Sequence, residues 1–305
     1  MIEIITVVIP TYNRKNYLRK LLVQLKNQVL KNAATAIVVV VDGSTDGTLE
    51  MLDTEFPEVH VVKGNGNWWW TKSINQGCQW ALKNRTDAVL LMNDDTEIDN
   101  NYIESLLEKS RQQPDAIIGS LNLTRNKPYR VYFSGIKKIA WWRAKLVRYH
   151  PIFAPYDEQM KGLYPSVALL GRGMFIPVSV FEKIGLFDER ALPQYKADFD
   201  FVLTAHENQV KTFISWDSIV YSHLELTGKG ATYTRQSFFA FLKSFFQENS
   251  WTNLAHSFRY YKKHCPLLVL PLAFFIDKLR LIYSFWQKKR RTALGSKKKQ
   301  TSNHV

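Results

Sequence analysis

Ile4-Ile5-Thr6-Val7-Val8-Ile9-Pro10-Thr11-Tyr12-Asn13-Arg14 begins with six β-branched residues in a row and ends on a proline and a polar cluster. Such a run lacks the alternation of a half-exposed strand and fits a strand buried on both faces. Tyr17, Leu18, Leu21, Leu22 and Leu25 then recur at helical spacing. The order repeats. A second apolar run at 37–41 leads into Asp42-Gly43-Ser44-Thr45-Asp46-Gly47, a turn rich in helix-capping residues, and then a short helix with Leu49, Met51 and Leu52. Residues 60–62 and 88–92 read as further strands, with a helix over 71–83 between them. Strands separated by short helices imply right-handed βαβ units and a mostly parallel sheet, so the fold class is α/β. Ligands bind such sheets beyond the carboxyl ends of the strands. The polar clusters 11–14, 42–46 and 93–95 all fall there.

The 305 residues, 46% hydrophobic and 22% charged, suffice for a sizeable core and exclude global disorder. Two cysteines, Cys78 and Cys265, cannot make a disulfide framework, and no Cys/His cluster has zinc spacing. No basic segment followed by an apolar stretch precedes the first strand, so the expectation is a cytoplasmic protein. The net charge is +14, and seven of the cations lie in 287–305, which hold no acid. Charge gathered in a tail, without base-reading elements, argues against a nucleic-acid binder.

Beyond Gly230 the composition turns aromatic and basic, with Phe238, Phe239, Phe241, Phe245, Phe246, Trp251, Tyr260 and Tyr261. Residues 265–276 carry no charge, yet the stretch is shorter than the roughly 18–20 residues a bilayer span needs. With Lys278, Arg280 and the basic tail it suits a segment lying in a membrane interface. A core-packed terminal helix with a solvated tail is the other reading. The expected division is a catalytic domain over 1–228 and a helical, basic, membrane-associating extension over 229–305.

Gly64-x-Gly66 lacks the third glycine of a dinucleotide fingerprint, and there is no phosphate-loop Gly-Lys-Ser/Thr, which removes the main support for a dehydrogenase or kinase. Three carboxylate groups remain. Asp94 and Asp95 directly follow a strand, and adjacent carboxylates repel unless a cation neutralises them; they read either as ligands of Mg²⁺ or Mn²⁺ or as a solvated turn. Asp42 can accept from a base edge or cap a helix. Asp198 and Asp200 diverge in either a strand or a helix, so one can be a general base and the other a structural partner. His223, after an apolar run, is either structural or part of a metal or diphosphate site. Trp68, Trp69 and Trp70 form a core cluster or a stacking platform.

Val7-Val8-Ile9-Pro10-Thr11-Tyr12-Asn13-Arg14, Val41-Asp42-Gly43-Ser44-Thr45-Asp46-Gly47-Thr48, Asn75-Gln76-Gly77 and Asn93-Asp94-Asp95 follow the order and spacing of family 2 glycosyltransferases. Gly171-Arg172-Gly173-Met174, Ile184-Gly185-Leu186-Phe187-Asp188-Glu189 and Asp198-Phe199-Asp200 match the later half of that pattern. The resemblance covers residues 3–225, and Asn67-Trp68-Trp69-Trp70 is similar to a rhamnosyltransferase-like subset that builds bacterial surface polysaccharides.

The resemblance implies a Rossmann-like, A-type nucleotide-sugar-binding fold, dependence on Mn²⁺ or Mg²⁺, and inversion at the anomeric carbon. By position, Pro10, Thr11, Tyr12, Arg14, Asp42, Asn75 and Asp94 would bind a UDP- or dTDP-linked donor. Asp95 and His223 would hold the metal. Trp70, Gly171, Arg172 and Gly173 would line the sugar or acceptor side, and Asp198 would be the general base. Val41 and Asn93 stand where many members have a first Asp, and Ala197 stands where Glu commonly precedes the base. The Gln-x-x-Arg-Trp motif of processive synthases is absent, which favours single transfer. The expected enzyme works at the cytoplasmic face of a membrane, docked on its anionic surface, on a lipid-linked saccharide. A non-catalytic nucleotide-sugar-binding or scaffold protein on the same fold is the alternative.

Overall fold

The computed structural model describes residues 2–226 and 237–301, with 288 and 291–301 described as helical backbone only. The expected boundary at 228 and the cationic side chains of 291–305 lie outside the described residues. The chain divides into two compact units, 1–139 with 146–223, and 140–145 with 224–305. The expected division is contiguous in sequence; this one is not, since the short segment 140–145 goes with the second unit.

In the first unit the strand–helix alternation begins as the apolar pattern predicts: β1 (Ile4–Thr11), α1 (Lys15–Lys26), β2 (Ala34–Asp42), α2 (Thr48–Glu55), β3 (His60–Gly64), α3 (Trp69–Lys83) and β4 (Ala88–Leu91). The strands β3-β2-β1-β4 lie side by side and parallel. Pro10 does not end β1 as its sequence context suggests. The Val8 carbonyl accepts from Met92 of the chain leaving β4, and Pro10 faces the same edge two residues later, where β4 has already stopped. Its missing N–H is therefore not called for.

The chain continues through β5 (Thr96–Ile98), α4 (Tyr102–Gln112), β6 (Ile117–Thr124) and β7 (Arg130–Phe133). A two-stranded ribbon of β8 (Ile136–Ala140) and β9 (Lys145–Arg148) comes next, then β10 (Ala154–Pro155), β11 (Leu163–Pro165) and β12 (Met174–Pro177). α5 (Val178–Ile184), α6 (Ala197–Glu207) and β13 (Thr212–Ser222) complete the unit. β12 enters antiparallel between β4 and β6, with Met174 opposite Leu91, and β13 runs parallel to β6. The result is a large α/β sheet whose parallel core becomes mixed from β12 onward. Because β12 is reversed, the loop that precedes it meets the carboxyl end of β4.

Both faces of β1, β4 and the carboxyl half of β2 are buried. Ile5, Val7 and Ile9 pack with Leu18, Leu21 and Leu22 of α1, and Val8 faces α3. Gly77 sits where α3 crosses Val8, and a Cβ there would lie 2.3 Å from Val8 Cγ1. With Gly77 and Val8 both buried, neither can yield cheaply. Gly77→Ala is expected to lose about 1–3 kcal/mol of stability by urea unfolding; an unchanged midpoint would contradict the close crossing.

Among its described residues the second unit has the α-helices Phe238–Ser244, Leu254–His264 and Leu270–Thr301, with a small core of Phe241, Phe245 and Phe285. Phe241 and Phe285 stack at 4.4 Å. Trp141 lies against Tyr260 and Tyr261, and the Arg280 guanidinium donates to the carbonyls of Arg143 and Ala144. Among the described residues no helix is long and apolar enough to cross a membrane.

Candidate active site

Strand-end loops converge at the carboxyl edge of the sheet and are tied to one another. Asn13, in a left-handed conformation (φ 51°), donates its N–H to Ser44 Oγ at 3.0 Å, and its Oδ1 accepts from the Thr45 N–H at 2.7 Å. Asp42 is the last residue of β2 rather than the first beyond it. Its Oδ1 accepts from the Gly66 N–H at 2.7 Å, and its Oδ2 from the N–H groups of Trp68 (2.8 Å) and Trp69 (3.2 Å). Through these bonds Asp42 fastens the start of α3. Gly43 and Gly66 let the two loops touch, since a Cβ on Gly43 would lie 2.7 Å from Gly66 Cα. Pro10 and Tyr12 flank Thr11 at this edge, and the Tyr12 side chain is exposed.

At the centre are the adjacent carboxylates, both almost completely buried. Thr11 Oγ1 donates to Asp94 Oδ2 at 2.8 Å. Arg14 bridges the pair, 2.9 Å from Asp94 Oδ1 and 3.2 Å from Asp95 Oδ2, and Arg172 approaches Asp95 Oδ2 at 3.5 Å. Burial pushes the Asp94 carboxyl up to about 6; Arg14 opposes this, and the neighbouring Asp95 charge adds to it. Asp95 Oδ1 and Arg172 Nη1 are buried with no hydrogen-bond partner. A buried carboxylate oxygen and a buried guanidinium nitrogen are costly to leave unmatched. Their chemistry fits a hard divalent cation on the first and an anionic oxygen on the second. Among the described residues no group of three or more His, Cys, Asp or Glu side chains gathers to hold a metal. Further oxygens would therefore come from substrate or water, as Mg²⁺ and Mn²⁺ sites commonly arrange.

The loop before β12 links this pair to Asp198. The Gly173 N–H donates to the Leu91 carbonyl at 2.8 Å, which fastens the loop to the end of β4. The Gly171 N–H donates to Asp198 Oδ2 at 3.3 Å, and the Phe199 N–H donates to Asp198 Oδ1 at 2.9 Å. Asp198 and Asp200 both lie in the first turn of α6, where the helix end favours negative charge; Asp198 is half-buried and Asp200 is buried. Trp70 lies across Gly171, where a Cβ would be 2.2 Å from Trp70 Cζ2. Its indole N–H donates to Asn93 Oδ1 at 3.1 Å, so Trp70 forms a wall between Asn93 and the glycine loop.

Two expected site residues face elsewhere. Asn75 spends its side chain on the 187–189 segment: its Nδ2 donates to the Phe187 carbonyl (2.9 Å) and Glu189 Oε2 (2.8 Å), and its Oδ1 accepts from the Phe187 N–H (3.0 Å). These bonds make it a buried brace of the 187–189 segment. Asn75→Ala should cost about 1–3 kcal/mol by stranding the Phe187 peptide groups, with nucleoside diphosphate affinity unchanged. A selective loss of affinity in calorimetry, at unaltered stability, would restore the nucleotide role. His223 donates its backbone N–H to the Asp95 carbonyl, but its ring pairs with Glu97 at 2.8 Å and packs edge-on against Tyr17. Glu97 also holds Arg125 at 2.7 Å, so the His223 ring belongs to a hydrogen-bonded network with Glu97 and Arg125 beside the pair, and among the described residues no group of three or more possible ligands forms with Asp95.

Gln194 and Tyr195 were not singled out by sequence reasoning. Gln194 Oε1 accepts from the Trp70 N–H at 2.7 Å. Tyr195 lies close enough to Arg14 to feel its charge, which lowers a phenol pKa that burial raises. Both precede α6 in an irregular segment with no periodicity to mark them. A separate groove of about 600 Å³, lined in part by Lys26, Glu58, His60 and Trp80, opens at the opposite ends of β2 and β3. Its Glu58 is paired with Lys26, and it holds none of the residues just described.

This arrangement agrees with what the sequence profile identifies. Glycosyl transferase family 2 matches residues 6–183, more than half of the chain, and the chain belongs to that family. The dTDP-rhamnosyl transferase RfbF of Shigella flexneri is 26% identical over 189 residues, which are 62% of this chain and 58% of that protein. Glycosyltransferase GlyA of Streptococcus pneumoniae serotype 4 is 35% identical over 123 residues, 38% of this chain and 16% of that protein. The chain thus spans less than two thirds of the length of either relative. Among solved structures, GalNAc-T7 with UDP, GalNAc and Mn²⁺ superposes with a TM-score of 0.59 at 17% identity, over 72% of this chain and 44% of that one. Staphylococcus aureus TarS 1–349 superposes with a TM-score of 0.55 at 15% identity, over 95% and 91%. At these identities the likeness speaks to the fold, which is that of A-type glycosyltransferases.

Proposed function

We propose that this chain is a metal-dependent, inverting glycosyltransferase that moves one sugar from a nucleoside-diphosphate donor to a hydroxyl of a lipid-linked saccharide in surface-polysaccharide synthesis. The observation that carries the reading is the pair of unmatched buried atoms, Asp95 Oδ1 and Arg172 Nη1, in a charged cluster joined through one loop to Asp198. RfbF, named a dTDP-rhamnosyl transferase, favours a dTDP-linked deoxysugar as donor.

Asp95, with Asp94 beside it, would hold Mn²⁺ or Mg²⁺, which supplies positive charge against the leaving diphosphate when bound. Thr11 and Arg14 keep Asp94 in place, and Asp42 keeps the 65–69 loop in place where the nucleoside would rest. Arg172 is poised to donate to a phosphate oxygen through its unmatched nitrogen. Trp70 and the glycine loop wall the sugar side and orient the acceptor hydroxyl. In the transfer, that oxygen bonds to the anomeric carbon from the face opposite the diphosphate. The carbon–oxygen bond to phosphate breaks with its electron pair on the diphosphate, and Asp198 accepts the hydroxyl proton.

Calorimetric titration with UDP, dTDP, GDP and CDP, each with and without Mn²⁺, tests the reading. Metal-dependent binding of dTDP or UDP is the expected result. A folded protein that binds none of the four would instead be a scaffold on a transferase fold.

A further inference from the structure

The helix Leu270–Thr301 buries one side and leaves another bare. Ala273 and Phe285 are buried, Phe285 in the small aromatic core. Leu272, Phe275, Leu279, Tyr283 and Trp286 are all exposed, and they follow one another at intervals of three, four, four and three residues, which keeps them on one face. Just ahead of the helix, Leu267 is 76% and Leu268 99% exposed. An apolar row of this length has no reason to stay in water.

Its rim is cationic. Lys262 and Lys263 stand exposed at the end of the preceding helix, Arg290 is exposed one turn beyond Trp286, and Lys289 lies over the Phe285 ring. Besides Lys289 and Arg290, the sequence from 287 onward adds five more cations and no acid. No helix among the described residues can span a bilayer, and a face with apolar and aromatic residues bordered by Lys and Arg is what an in-plane interfacial helix requires. Repulsion between like charges opposes pairing of this face with a second copy, whereas anionic headgroups complement it.

We infer that the Leu268–Trp286 face is a docking surface for an anionic lipid bilayer, with the leucine and aromatic side chains in the headgroup–acyl boundary and the basic residues among the headgroups. This goes beyond the transferase reading and does not depend on it, since the surface needs no nucleotide.

The test is co-sedimentation of the full chain with vesicles of about three parts phosphatidylcholine to one part phosphatidylglycerol, beside vesicles of phosphatidylcholine alone. Wild type should bind the anionic vesicles at least about tenfold more tightly than the neutral ones. The triple variant Leu268→Ser, Phe275→Ser, Tyr283→Ser should lose about tenfold or more in affinity. These side chains are exposed, so its urea midpoint should match wild type, which separates lost docking from lost folding. Lys289→Gln with Arg290→Gln should weaken binding to anionic vesicles alone. Equal binding by wild type and the triple variant would overturn the assignment. So would a wild type that ignores vesicles and forms a dimer, by light scattering, that the triple variant abolishes.

Discussion

Asp198→Asn is expected to lower turnover by about 10²–10⁴-fold while the affinity for nucleoside diphosphate stays within about twofold. The amide has nearly the volume of the carboxylate, and its one carbonyl oxygen can still accept the Gly171 N–H, so the loop before β12 keeps its anchor while the local bond from the Phe199 N–H is given up. What is lost is the ability to take a proton from the attacking hydroxyl. A drop in turnover matched by an equal drop in donor affinity would mean that Asp198 only braces the loop. Unchanged turnover would remove it as the base.

The second large effect is expected from Asp95→Asn. Mn²⁺ should no longer strengthen nucleoside diphosphate binding, and turnover should fall by about 10²-fold or more, since a hard cation draws much of its binding from carboxylate charge. Arg14 retains Asp94 in the variant, so the loop keeps an ion pair, and a thermal melt can establish that the fold persists. The comparison to make is calorimetry with and without Mn²⁺ on both proteins. If the metal adds as much affinity to the variant as to wild type, the metal binds elsewhere.

The parallel half of the sheet is legible in the sequence because its strands are buried on both faces and therefore lack any polar alternation. The convergence of Thr11, Arg14, Asp42, Asp94 and Asp95 is legible for a topological reason: each lies at or just past the carboxyl end of a parallel strand. β12 is harder to read, because a four-residue strand inserted in reverse between β4 and β6 leaves no periodic signature. Its consequence, that Arg172 arrives beside Asp95 and Gly171 beside Asp198, could be expected only from the family resemblance. Asn75 and His223 mark a different limit. Chain position brings both near the edge of the sheet, but the direction in which a side chain turns depends on partners far away in sequence, Phe187 and Glu189 for one and Glu97 for the other.

At neutral pH, Arg14 and Arg172 with Asp94 and Asp95 make a charge-balanced quartet in a buried setting. A divalent cation entering alone would leave the quartet with two surplus positive charges away from bulk water, and a diphosphate entering alone would leave it with surplus negative ones. Each is costly at low dielectric, while the two together nearly cancel. On the proposed function, cation and nucleotide would therefore be thermodynamically linked, each raising the affinity for the other by the same factor. The protein's own electrostatics would then disfavour half-loaded states, so that charged cargo would enter as a neutralised pair.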